Sequence, residues 1–227
     1  HEVRDDFDGD GKSMAVQKDE IIDLTAKFKN GKLSWNAPSG NWTIIRYGYT
    51  CTGAKTSTNS DGWEGLSLDH LSPEAFELFN QTVITPLIKT AQSVGNSVKF
   101  LQTDSWEMDL VSWTKNFQAE FKKYRSNDIQ KYMPVLAGRI VESRDESDRF
   151  LHDFRKTIGD CVTDNHYRLF YNLAHKYGMG IHPESGGPHS APVDALQVMG
   201  ISDFPQGEFW AMANTHRICL LYTSRRG

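Results

Sequence analysis

Three glutamates stand where a short apolar run ends beside bulky or turn-forming neighbours. They are Glu107 after Trp106, Glu184 ahead of Gly186-Gly187, and Glu208 ahead of Phe209-Trp210. Cleaving a glycosidic bond needs two such groups of unequal proton affinity, one protonated carboxyl and one carboxylate, on either side of the bond. A carboxyl lodged against a large ring is partly desolvated, which raises its pKa toward the range of a working acid. Sugar rings present apolar faces and hydroxyl edges, so Trp106, Phe209 and Trp210 are candidate platforms. A single Trp-Glu pair is ordinarily structural. The placement of three carboxylates at predicted strand exits is what favours a site, because that end of an α/β fold is where sites form.

His182, Glu184 and His189 offer a second chemistry. His-x-Glu on a strand points both side chains to one side, since the strand period is two, and such groups ligate zinc. Pro183 between them, and the lack of HExxH or CxxC, weigh toward hydrogen-bonding contacts with a sugar instead. No GxSxG elbow, P-loop or GxGxxG occurs, so serine-hydrolase, NTPase and dinucleotide readings have no support. Asp6, Asp8 and Asp10 before Gly11 look like the start of a calcium loop, but an EF-hand would need an acid where Gln17 stands, so they read as a solvated acidic turn. Cys51, Cys161 and Cys219 are odd in number and far apart, and make neither a metal motif nor a disulfide framework.

The elements that must hold these residues follow from periodicity. Lys18 to Ala37 reads as short strands and turns, with Asn30-Gly31 as a hairpin turn. Trp42 to Tyr49, rich in β-branched and aromatic residues, reads as a buried strand. Ser72-Pro73 starts a helix whose Phe76, Phe79, Val83 and Leu87 fall on one face, and Pro86 should kink or end it. Val98 to Thr103 reads as a strand running into Asp104-Ser105-Trp106-Glu107. Thr114 is placed to cap a helix carrying Phe117, Phe121 and Tyr124. Ser143 and Glu146 form a capping box ahead of a long helix with Phe150, Phe154, Ile158, Leu169 and Leu173 buried, stopped by Gly178. Gly180 to His182 is strand-like, Leu196 to Gly200 is a helical turn, and Ile201 to Phe204 is a further strand. Strands Trp42–Tyr49, Val98–Thr103 and Gly180–His182 should lie parallel and close together.

This alternation predicts an α/β protein, a partial (β/α)8 barrel of the TIM type preceded by a short β-rich segment. The segments are residues 1–40 as the β-rich lead, 41–218 as the partial barrel, and 219–227 as a tail that follows no helical or strand period. The tail resembles translated adapter sequence and is expected to be non-native and to pack against nothing. The chain has 227 residues with 38% hydrophobic and 11% aromatic content, enough to build a core and against disorder. A net charge of −4 without a basic stripe argues against nucleic-acid binding. No apolar run approaches the roughly 18–20 residues that span a bilayer. His1 reads as the middle of a chain, without a signal peptide.

Several runs occur in a telling order: Asp104-Ser105-Trp106-Glu107, then Arg149-Phe150-Leu151-His152-Asp153-Phe154-Arg155, then His182-Pro183-Glu184-Ser185-Gly186-Gly187, then Gly207-Glu208-Phe209-Trp210. With Ile22-Asp23-Leu24-Thr25, Trp42-Thr43-Ile44-Ile45-Arg46 and Asp69-His70-Leu71-Ser72 upstream, the ordered set resembles the alpha-L-rhamnosidases of glycoside hydrolase family 106, from about Val16 to Arg217. The resemblance implies an inverting, calcium-assisted removal of terminal alpha-L-rhamnose from oligosaccharides or polysaccharides on a (β/α)8 barrel. It matches Glu107 to the catalytic acid with Asp104 beside it, and Glu184 and Glu208 to positions that contact the sugar or the calcium; the residues themselves add Trp106, His182 and Trp210 as substrate-binding candidates. The family's general base lies in a later Ala-Glu-Ala/Gly-Phe-Thr motif that this chain lacks, so the chain alone should show no turnover. The resemblance also implies a periplasmic or extracellular bacterial location. A non-catalytic carbohydrate-binding module, which would keep the aromatics without needing Glu107, and a metal-dependent hydrolase using His182 and Glu184 are the rival readings.

Overall fold

A computed structural model describes residues 14–56, 62, 64–95, 98–106, 111–184 and 192–206. Chain contacts divide the molecule into residues 1–49 with 118–157, and residues 50–117 with 158–227.

In the first unit, strands β1 (Phe28–Lys29) and β2 (Lys32–Leu33) pair antiparallel around Asn30-Gly31. Both turn residues have positive φ, 49° and 77°, which is the requirement that makes Asn-Gly a hairpin turn. Helix α3 (Phe117–Arg125), the short helix α4 (Met133–Leu136) and the first part of α5 (Arg144–Val162) supply the core. Phe150 lies at its centre, stacked on Tyr132 at 5.2 Å and tilted against Phe121 at 5.8 Å and Phe154 at 6.1 Å. Ser143 Oγ accepts the Glu146 amide, as a capping residue should. Glu146 does not return the bond; its carboxylate receives Lys18 Nζ at 2.7 Å and the Tyr132 hydroxyl at 3.0 Å. These bonds hold the Glu146 carboxyl below its ordinary range. The N-terminal segment is tied down further by Val16, whose amide bonds Ile140 O and whose carbonyl accepts from Glu142.

In the second unit, strands β3 (Phe100–Thr103) and β4 (Gly180–Pro183) pair in parallel, Phe100 opposite Gly180 and Thr103 opposite Pro183. The amides of Gly180 and Glu184 bond toward β3, so the amide and carbonyl of Ile181 point to the other edge. There the Ile181 amide donates to Asp203 Oδ2, and the Phe204 amide donates to Ile181 O. A parallel bridge joins Glu184 to Gln206. The segment from Asp203 to Gln206 thus lines the second edge of β4. Helix α1 (Pro73–Phe79), capped by Ser72 Oγ on the Ala75 amide, leads through a π turn (Asn80–Ile84) into α2 (Thr85–Ser93). Helix α5 likewise passes through a π turn (Thr163–Tyr167) into α6 (Arg168–Lys176), and α7 (Ala195–Ile201) follows β4. Gly178, at φ 72°, ends α6: its amide bonds His175 O, and the Met179 amide reaches back to Ala174 O. That left-handed residue closes the helix end. Phe76, Ile88, Phe170, Leu173, Ala174, Met179 and Ile181 form the core.

Several expectations are corrected. Residues 42–49 form no strand, and Ile44 and Tyr49 are exposed, because no partner among the described residues supplies a ladder. Propensity alone reports only a fit to a pleated, half-buried surface. Phe79, Val83 and Leu87 are exposed, while Phe76 and Ile88 are buried. The π turn adds a residue between them and rotates the following face; Pro86 sits just after it, at the second position of α2. The Thr114 hydroxyl does not cap α3 but donates to Asp69 Oδ2 at 2.8 Å. Ile201 closes α7, and the strand-like pairing begins only at Phe204. Phe150, Phe154, Ile158 and Leu173 are buried as expected and Leu169 is half-buried, though Phe150 and Phe154 pack on aromatic rings of their own unit instead of on the sheet. The described residues make mixed α/β structure with small sheets, and a complete barrel is not among them.

Candidate active site

The parallel pair positions two segments side by side: Asp104-Ser105-Trp106 leaving β3 and Glu184 leaving β4. The Glu184 amide donates to Thr103 O at 3.1 Å, which fixes the two exits against each other. Glu184 is 7% exposed. Tyr167, from the π turn, brings its hydroxyl to the Thr103 side chain and into the field of Glu184. Burial pushes the Tyr167 phenol up to about 12, with Glu184 acting in the same direction and the Thr103 bond opposing it. The phenol therefore stays protonated, a donor at the mouth of the strands.

Trp106 is 6% exposed, and its ring meets His70 edge-on at 4.9 Å. His70 in turn meets His166 at 4.5 Å, and His166 lies against Tyr167 at 5.0 Å and Phe76 at 5.8 Å. The loop that carries His70 is pinned on three sides. Asp69 accepts from the Thr114 hydroxyl and the Leu71 amide, and Asn165 Nδ2 donates to Leu71 O. Trp106 Nε1, His70 Nδ1, His166 Nδ1, Thr163 Oγ1 and Gln206 Oε1 are all buried without a hydrogen-bond partner. Native interiors leave few such atoms, so a cluster of them calls for water or a polar ligand. Burial, reinforced by the neighbouring His70, lowers the His166 pKa to about 3, and burial also lowers that of His70 against the pull of its Leu68 bond and of Asp69. Both rings are neutral at ordinary pH.

This has a consequence for stability. A buried imidazole whose folded pKa is about 3 binds fewer protons than the unfolded chain's, which titrates near 6.5. Stability from this source is complete above about pH 6.5 and declines as the pH falls toward 3. The urea midpoint of the protein should drop between pH 7 and pH 5, and His166→Gln should flatten that drop. An equal decline in the variant would assign it to other groups.

Asp104, Trp106, His182 and Glu184 of the sequence-derived set lie in described residues; Glu107, Glu208, Trp210 and His189 lie outside them. Asp104 is exposed and accepts the Ser105 amide, a local turn contact. His182 rests edge-on against Phe204 at 5.2 Å. No group of three His, Cys, Asp or Glu among the described residues could hold a metal ion. His70, His166, Tyr167 and Gln206 were not foreseen as site residues. His70 was visible inside the Asp69-Ser72 run, whereas His166 and Tyr167 owe their direction to a π turn that regular helical periodicity does not show.

The chain matches, over residues 4–223, a family model described as alpha-L-rhamnosidase of glycoside hydrolase family 106. It is 39% identical over 198 residues to a Formosa agariphila protein provisionally named a beta-glucuronidase, covering 86% of this chain and 17% of that protein. It superposes on a rhamnosidase from Novosphingobium sp. PP1Y with a TM-score of 0.76 at 27% identity, over 88% of this chain and 20% of that one. The chain thus spans about a fifth of the length of the proteins it matches.

Proposed function

Given that the chain belongs to the alpha-L-rhamnosidase family, glycoside hydrolase family 106, we propose that it is the part of a rhamnoside-cleaving hydrolase that carries the catalytic acid and one wall of the sugar site. The observation that carries this reading is the set of buried polar atoms without a hydrogen-bond partner on Trp106, His70 and His166, whose rings meet in turn, and on Gln206, which bridges Glu184. Hydroxyls, which both donate and accept, suit such atoms. Glu107, next to Trp106, protonates the departing glycosidic oxygen. A carboxylate from elsewhere in the complete protein activates water on the opposite face, the two carboxyls standing about 6.5–9.5 Å apart as inversion requires. Asp104 shapes the turn before Glu107, and Trp210, Glu208 and His182 complete the contacts to the sugar. The chain alone, without a base, turns nothing over. No described helix is long and apolar enough to cross a membrane, and the complete protein acts on glycans in the periplasm or outside the cell.

Calcium takes about six to eight oxygen ligands. Among the described residues no group of three His, Cys, Asp or Glu could supply that shell, and no step is routed through the ion.

The Formosa relative's name raises a second substrate, a glucuronide. A glucuronosyl ring bears a carboxylate where a rhamnosyl ring bears a methyl. The strand-end residues named above include Asp104 and Glu184 but no Lys or Arg, and the two imidazoles are held neutral by burial. Among the described residues, a uronate there would face carboxylates with no cation beside them, at a cost of several kcal/mol. The complete protein should therefore process 4-nitrophenyl alpha-L-rhamnoside at least about 100-fold faster, as kcat/KM, than the corresponding beta-D-glucuronide. The reverse ranking would overturn the assignment.

A further inference from the structure

We propose that residues Trp42–Tyr49 are a docking strand, paired in the complete protein by a β-strand from polypeptide outside this chain. Residues 41–54 run without helix, turn or bend, and no residue from 41 to 52 has positive φ. Yet the backbone from Trp42 to Cys51 makes no hydrogen bond among the described residues. Eight consecutive residues of unpaired donors and acceptors are what a sheet edge offers to another strand.

The side chains point the same way. Trp42 and Ile44 alternate onto one face, and Ile45, Tyr47 and Tyr49 onto the other. Apolar residues on both faces mark a strand with cover on each side, unlike the one-sided pattern of a solvent-exposed edge. Here Ile44 is 59% exposed and Tyr49 62%, with Trp42 at 40%. Such a run, high in β-propensity and low in charge, is an aggregation hazard when bare. The only charged residue in it, Arg46, lies over the Phe28 ring at 4.9 Å and leaves the strand itself open.

The occupant is a strand of the same polypeptide for a reason of length. The proteins this chain matches are about five times longer, so most of the polypeptide that could pair with the segment lies outside it. A soluble ligand would not be expected to satisfy a row of backbone groups at a spacing of about 3.3 Å per residue, whereas β-strand addition does so by design of the peptide unit.

Amide hydrogen exchange on the complete protein, read by mass spectrometry or NMR and repeated over a tenfold dilution series, tests this. Protection of at least about 100-fold over unstructured peptide is expected for the amides of residues 42–49, unchanged on dilution. Protection at alternate amides would mark one paired edge, and protection at every amide a strand paired on both edges; either outcome supports the proposal. Exchange at the unstructured rate would overturn it. Protection that is lost on dilution would also overturn it, assigning the segment to a contact between copies. Because the measurement uses the unmodified protein, it does not depend on any variant folding, and it stands whether or not the substrate assignment does.

Discussion

Glu107→Gln in the complete enzyme should slow hydrolysis of natural rhamnosides by about 10²- to 10⁴-fold, the usual worth of general acid catalysis. Glutamine keeps the shape of the side chain and its hydrogen-bonding capacity but cannot release a proton to the departing oxygen. The loss should fall mainly on kcat, because the proton moves in the transition state and not in the bound ground state. It should shrink for 4-nitrophenyl rhamnoside, whose leaving group needs little protonation. A general acid predicts that contrast, while a residue that only shapes the site would slow both substrates alike. In the sequence Glu107 follows Trp106, which is buried and meets the ring of His70 edge-on. Steady-state kinetics on both substrate types, parent against variant, is the measurement. A variant that hydrolyses natural rhamnosides at the parental rate would remove Glu107 from the mechanism and bring Glu184 or Glu208 forward.

Phe150→Ala should destabilise the protein by about 3–5 kcal/mol, the range for emptying an aromatic core position. The Phe150 ring is 4% exposed and touches Tyr132, Phe121 and Phe154, which come from three separate segments of its unit. Three rings cannot all collapse into the space without shifting their own helices, so the cavity term stays large. The same loss should also loosen Tyr132, whose hydroxyl supports Glu146 and through it Lys18. Lys18→Met, by contrast, removes a pair that is about a third exposed and should cost about 1 kcal/mol or less. Urea unfolding of the complete protein with each variant separates the two effects. A Phe150→Ala cost near that of Lys18→Met would mean that the aromatic cluster is not a core.

Much of this was legible in the residues because short-range chemistry decides it. Asn30-Gly31 dictates its turn, since Asn and Gly tolerate the positive φ that each adopts. Ser72-Pro73 dictates a helix start, because the serine oxygen meets an orphan amide and proline has none to lose. Gly178 dictates a helix end for the same local reason. The ordered runs around Glu107, Glu184 and Glu208 identified the family, and the strands Phe100–Thr103 and Gly180–Pro183 were placed well enough that their parallel pairing followed.

Tertiary structure decided what depends on distant partners. Trp42–Tyr49 has every local feature of a strand and no partner among the described residues, so propensity could not say where it pairs. Phe79, Val83 and Leu87 fit one helical face until a π turn rotates it, and a single extra residue moves the stripe from core to solvent. The candidate site is of the same kind. His70 and His166 are 96 positions apart in sequence (166 − 70), yet their rings meet at 4.5 Å because one loop is tied to Asn165 and Thr114, and the second π turn aims the other ring inward. Residue types can nominate carboxylates for catalysis. Which uncharged groups surround them, and that burial keeps those groups neutral, is set only when the chain folds and water is excluded.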